Sequence, residues 1–86
     1  MPEINVKIPD AWLGGKYANM MQVTHSSEEF VLDFISGFPP QGELVSRLIV
    51  SPRHMKRILK ALEDNVSRYE QKNGIIQEAS EPKLLE

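Results

Sequence analysis

Residues 51–74, SPRHMKRILKALEDNVSRYEQKNG, decide the architecture of this chain, because both ends of a long amphipathic helix are written into them. Ser51 is a good N-cap, its hydroxyl free to accept from an orphan N–H of the first turn. Pro52 follows where its missing N–H is harmless and its fixed φ suits a helix. Met55, Ile58, Leu59, Leu62, Val66 and Tyr69, with Ala61 on the margin, recur at the spacing of one apolar stripe. Gly74 supplies a left-handed stop. A helix of about 22 residues spans roughly 33 Å.

Outward from that helix, composition bounds the rest. Eighty-six residues make one domain, and a chain of this size buries only about 60–65% of its unfolded surface. There is no cysteine, so neither disulfides nor thiolate metal sites can reinforce it. A net charge of −2 argues against bulk attraction to nucleic acid. Met1-Pro2-Glu3 lacks the basic and apolar run of a secretory signal, and no apolar stretch approaches the ~20 residues that span a bilayer. The expectation is a soluble, cytoplasmic protein without membrane partners.

The segment before the helix reads as strands. Ile4, Val6 and Ile8 alternate with Asn5 and Lys7, and Pro9 ends that run. Asp10 to Gly15 is a loop in which Trp12 and Leu13 are expected to plug the core. Tyr17–Val23 is a second strand, Thr24–Ser27 a turn, Phe30–Ile35 a third strand, and Leu44–Val50 a fourth. Residues 27–36 are ambiguous, since Ser26-x-x-Glu29 also fits a helical capping box. The aromatic and β-branched content and the hairpin-like spacing favour a strand. The predicted class is therefore α+β: a small antiparallel sheet of three to four strands, then one long C-terminal amphipathic helix packed on it. The domain runs over residues 1–76, and 77–86 read as a disordered acidic tail.

Counting faces predicts self-association. Phe30, Leu32 and Phe34 occupy one side of their strand, Val31 and Ile35 the other. Leu44, Leu48 and Val50 likewise oppose Val45 and Ile49. Strands apolar on both faces need cover on both, and one helix covers one. A second copy, most simply through a two-fold axis, is the expected remedy: a homodimer or higher homo-oligomer.

Tyr17-Ala18-Asn19, Thr24-His25-Ser26 and Glu28-Glu29-Phe30-Val31-Leu32-Asp33-Phe34 resemble blocks of a small prokaryotic family of domains of unknown function. Pro39, Ser46–Pro52, His54–Arg57, Ala61-Leu62, Asn65-Val66, Tyr69-Glu70 and Gly74–Ile76 continue the resemblance over roughly residues 16 to 76. Members vary at the position of Met55, often with Ala. The resemblance implies no activity, and no catalytic or binding residue is carried over by it. The order of strands then one helix is also similar to SecB-type export chaperone subunits, a likeness of topology alone.

Among candidate sites the basic cluster leads. Arg47, Arg53, Lys56, Arg57 and Lys60 hold half of the ten Lys/Arg residues. Four of them occupy the first half of the helix, where the macrodipole disfavours cations by up to ~0.3–1 kcal/mol each. Arg53/Arg57 and Lys56/Lys60 are also like-charged i, i+4 pairs. Such a cluster suits phosphate, nucleic acid or an acidic protein. The plainer reading is a solvated helix face compensated by Lys60–Asp64 and Asp64–Arg68.

Other residues carry duller explanations. Asp33, between Leu32 and Phe34, needs a partner if buried, and Arg47 on the next strand is the natural one. His25 beside Ser26 suits a turn hydrogen bond better than catalysis. His54 belongs to the first helical turn and lacks metal-ligand company. Tyr17 and Asn19 are expected to orient the preceding loop. Gly14-Gly15-Lys16 lacks the rest of a phosphate loop, Asn65-Val66-Ser67 lies mid-helix, and Pro39-Pro40 is a loop device. With no nucleophile–base set, metal constellation or cofactor motif, the expected function is a non-enzymatic homo-oligomeric binding or adaptor module. Polyanion binding through the basic helix face and chaperone-like peptide binding are the alternatives.

Overall fold

In a computed structural model of the chain, residues 2–80 are described. Three strands form an antiparallel sheet in the order β1 (Met20–His25), β2 (Phe30–Ser36), β3 (Glu43–Val50), and α1 (Pro52–Asn73) follows. The α+β class and the order of strands before one long helix are as the sequence predicts. Residues 27–36 resolve as loop and strand.

Ser26 explains why that segment looked helical. Its hydroxyl accepts from Glu28 N–H at 3.2 Å and Glu29 N–H at 3.3 Å, as a helix cap would. Its own N–H, however, donates to Glu29 O at 3.0 Å, turning the chain back into a hairpin. Capping chemistry is local, and a tight turn uses it equally well. His25 consequently ends β1, opposite Phe30 with ring centroids 5.2 Å apart, and is not part of the turn.

Cross-strand partners share a face. Val23, Leu32 and Leu48 form one row through the middle of the sheet, flanked by Met21–Phe34–Ser46 and His25–Phe30–Val50. The opposite face carries Thr24–Val31–Ile49, Gln22–Asp33–Arg47 and Met20–Ile35–Leu44. Leu44 thus belongs with Ile49 and not, as simple alternation predicts, with Leu48 and Val50. The register shifts between Phe34 and Ile35, and the extra residue of the bulge reverses the facing of what precedes it.

Three expectations fail. Ile4, Val6 and Ile8 form no strand; the arm is irregular, and Ile4 is 82% exposed. Alternation states which side chains would share a face, but a strand exists only where a neighbour supplies the ladder. Trp12 and Leu13 are exposed and do not plug a core. They sit on and just after a 3₁₀ turn (Asp10–Trp12), with Lys16 Nζ 6.0 Å from the Trp12 ring centre.

Most consequentially, α1 does not lie on the sheet. Substantial packing between elements is confined to the two strand pairs, and no residue of α1 is buried. Among the described residues only Leu32 (5% exposed) and Met20 (6%) form a buried apolar core. Residues 77–80 of the expected tail are irregular and exposed; the remainder of it lies outside the described residues.

Candidate interaction surface

The helix is built as its ends specify. Ser51 Oγ accepts from His54 N–H at 3.1 Å. Pro52 takes the first helical position, and Gly74 closes the other end at φ 90°, its N–H donating to Glu70 O at 2.9 Å. Asn73 Nδ2 donates to Tyr69 O at 3.2 Å. Ile76 N–H donates to Glu70 Oε2 at 2.9 Å, so the Glu70 side chain ties down the residues after the helix.

The apolar stripe lies bare along this rod. Met55 and Ile58, nearest the sheet in sequence, are half-buried. Leu59, Leu62 (57%), Val66 and Tyr69 are exposed. Sheet residues Met21, Val23, Leu44, Leu48 and Ile49 are exposed as well. The whole chain presents 8366 Å² of surface. A folded monomer of 9.8 kDa would present about 5,200 Å², an excess of about 3,200 Å² to which the irregular flanks also contribute.

The basic cluster divides in two. Arg53, Lys56, Arg57 and Lys60 stand on α1, and at 100° per residue Arg53, Arg57 and Lys60 lie on the side away from the stripe while Lys56 flanks it. Among the described residues none of the four makes an ion pair, and the expected Lys60–Asp64 and Asp64–Arg68 pairs are not formed. Lys56, Arg57, Leu59, Lys60 and Glu63 border an open trough of about 390 Å³. No second element walls it, so it is surface relief on one helix and not a ligand pocket.

Arg47 is elsewhere and occupied. On β3 it faces Asp33 of β2, donating from Nε to Oδ1 at 2.7 Å and from Nη2 to Oδ2 at 2.9 Å. This fork-to-carboxylate geometry is the strong form of an ion pair. The hydrogen bonds from Arg47, aided by its charge and opposed by desolvation, hold the Asp33 carboxyl below its ordinary 3.8. The same bonds raise Arg47. The cross-strand pairing expected of these two residues is present, and it separates Arg47 from the cations on the helix.

Asn19 has a role that sequence reading located only loosely. It does not orient the preceding loop but clamps the one after β2, through reciprocal bonds with Gly37. Tyr17 stacks on Phe38 beside it, ring centroids 6.2 Å apart. An amide next to a strand start and a glycine past a strand end were the available signals, but their pairing depends on the hairpin register. Among the described residues, no three His, Asp or Glu side chains converge as metal ligands, and no helix is long and apolar enough to cross a membrane.

No curated protein and no solved structure matches the chain, and the likeness to SecB-type chaperone subunits is not confirmed. A family model does match, and it covers residues 1–78, taking in the N-terminal arm as well as the sheet and helix. With the motif blocks, the hairpin and the capped helix all inside that span, the chain belongs to the family described as protein of unknown function (DUF3467).

Proposed function

We propose that this chain is the subunit of a cytoplasmic, non-enzymatic, homo-oligomeric binding module, whose hydrophobic core is completed only when copies associate. The observation that carries this reading is the bare α1 stripe beside a sheet that buries only Leu32 and Met20. Burying apolar surface is worth roughly 25 cal/mol per Å². Forgoing it over a whole helix face is severe for a domain whose total stability is of order 5–15 kcal/mol. Sedimentation across a wide concentration range tests this: a dimer or larger species that unfolds as it dissociates is expected, and a well-folded lone chain at high dilution would refute it.

A second reading has its own observation, four helix cations that make no ion pair among the described residues. Arg53, Arg57 and Lys60, opposite the stripe, stay exposed when it is covered and suit an acidic protein or a nucleic-acid backbone. Titration with a short DNA duplex at 50 and 200 mM salt distinguishes the two. Electrostatic capture weakens steeply over that range; absence of binding at the lower salt would dismiss it.

A further inference from the structure

Most apolar residues of α1 fall on a seam narrower than an ordinary amphipathic face. Met55, Leu59, Leu62, Val66 and Tyr69 succeed one another by 4, 3, 4 and 3 positions. That alternation, two residues every seven, is the seam of a coiled coil, and Ile58 widens it toward the broader stripe only at its start. The seam is also where α1 is bare, from Leu59 to Tyr69, while only Met55 and Ile58 at its start gain cover.

Charge along α1 then selects the direction of a partner. The half from Pro52 to Leu62 carries Arg53, Lys56, Arg57 and Lys60 and no acid; the half from Glu63 to Asn73 carries Glu63, Asp64 and Glu70 against Arg68 and Lys72. Parallel helices would bring the two cationic halves level with each other. Antiparallel helices set the cationic half of each beside the acidic half of the other, and oppose the two macrodipoles as well. Lys56, Glu63 and Glu70 occupy one flank of the seam at seven-residue intervals. In an antiparallel pair that flank meets its own copy. With Leu62 next to Val66 across the two-fold axis, Lys56 of each helix comes beside Glu70 of the other at both ends, and the two Glu63 side chains meet at the axis, one like-charge contact against two opposite-charge ones. Glu70 is poised for this: Oε2 is held by the Ile76 N–H, and Oε1 makes no hydrogen bond among the described residues.

We infer that two copies of this chain join through their α1 helices, packed antiparallel along the Met55–Leu59–Leu62–Val66–Tyr69 seam, with Lys56 paired to Glu70 of the second copy at both ends. The inference deepens the homo-oligomer reading and depends on it. The sheet remains open to cover by the arm or by further copies, and Arg53, Arg57 and Lys60 stay on the outside of the helix pair.

The chain has no cysteine, so introduced ones report contacts without interference. Full-length Lys56→Cys and Glu70→Cys variants are oxidised separately and then after mixing and re-equilibration. Fourteen residues along one helix are about 21 Å, far beyond the ~7 Å limit for a disulfide, so no link forms within a chain. Cross-linked dimer in the mixture, and in neither variant alone, is the expected result. Cross-linking of either single variant on its own would mean another register or direction and overturn the inference. No cross-link from a mixture that sediments as dimers would mean that α1 docks elsewhere, on the partner's sheet for example. That outcome would overturn the helix pairing and leave the homo-oligomer reading standing; a folded monomer would overturn both. Independently, Lys56→Glu should weaken association about tenfold and Lys56→Glu with Glu70→Lys should restore it. Failure of the double variant to recover, with its helix content intact, would refute the pairing.

Discussion

Asn19 and Gly37, eighteen residues apart, are joined by two reciprocal amide bonds: Asn19 Nδ2 donates to Gly37 O at 3.0 Å, and Gly37 N–H donates to Asn19 Oδ1 at 2.7 Å. Asn19 N–H also donates to Ile35 O at 3.1 Å. One side chain therefore does the work of a further rung of ladder, fastening the start of β1 to the loop that leaves β2. A Cβ at Gly37 would collide with Met20 Sδ, so any larger residue there obliges the buried methionine beside the clamp to shift.

Asn19→Ala should destabilise the sheet by about 1–3 kcal/mol, the loss of two part-buried hydrogen bonds. Gly37→Ala should cost a similar amount, about 1–3 kcal/mol, by overpacking against Met20. Urea unfolding measures both; a wild-type midpoint for Asn19→Ala would show that the clamp contributes nothing, and one for Gly37→Ala that Met20 yields without cost.

The Asp33–Arg47 pair predicts an acid-sensitive coupling. Asp33 titrates below its ordinary 3.8 in the folded state, so the unfolded chain takes up the proton first as pH falls. The stabilisation is full above the unfolded value and is lost as pH drops through the folded one. A double-mutant cycle with Asp33→Asn and Arg47→Met should give a favourable coupling at pH 7 that fades below pH 3.8. Coupling that is unchanged by acid would mean the carboxylate charge is irrelevant.

Leu62→Asp separates the lone chain from the assembly. Leu62 is 57% exposed within one chain, so an isolated domain would tolerate the change within about 0.5 kcal/mol. In an assembly that buries the stripe, the aspartate is an unpaired charge in an apolar seam. Loss of the oligomer and of cooperative melting is the expected outcome, read by sedimentation and calorimetry. A wild-type melt and mass would remove the stripe from any interface.

Arg53→Glu together with Arg57→Glu should leave folding intact or slightly improved. The macrodipole favours acids in the first turns by about 0.3–1 kcal/mol each, and neither arginine has an ion pair to lose among the described residues. If the outer face captures polyanions, the double variant should bind DNA more weakly at every sequence and show a shallower salt slope. A large drop in melting temperature would instead make the cluster structural.

What was legible in the sequence was what neighbouring residues decide. The cap at Ser51, the proline after it, the stripe and the stop at Gly74 define α1, and it runs from Pro52 to Asn73. Alternation marked β2 and β3 closely, and the Asp33–Arg47 pair followed from charges one strand apart. The misreadings arose where a distant partner was needed. Ile4, Val6 and Ile8 have the period of a strand but no ladder to join. Leu44 changed faces because the bulge depends on how β2 and β3 meet. Asn19 found Gly37 only because the β1–β2 hairpin brings them together.

Local order thus belongs to the chain alone, since capping, turn chemistry and periodicity act over a few residues and need no outside contact. Which surfaces meet does not, because an apolar stripe is equally satisfied by a sheet, another helix or a second molecule, and periodicity cannot tell these apart. Only in three dimensions does α1 stand clear of the sheet with its stripe bare.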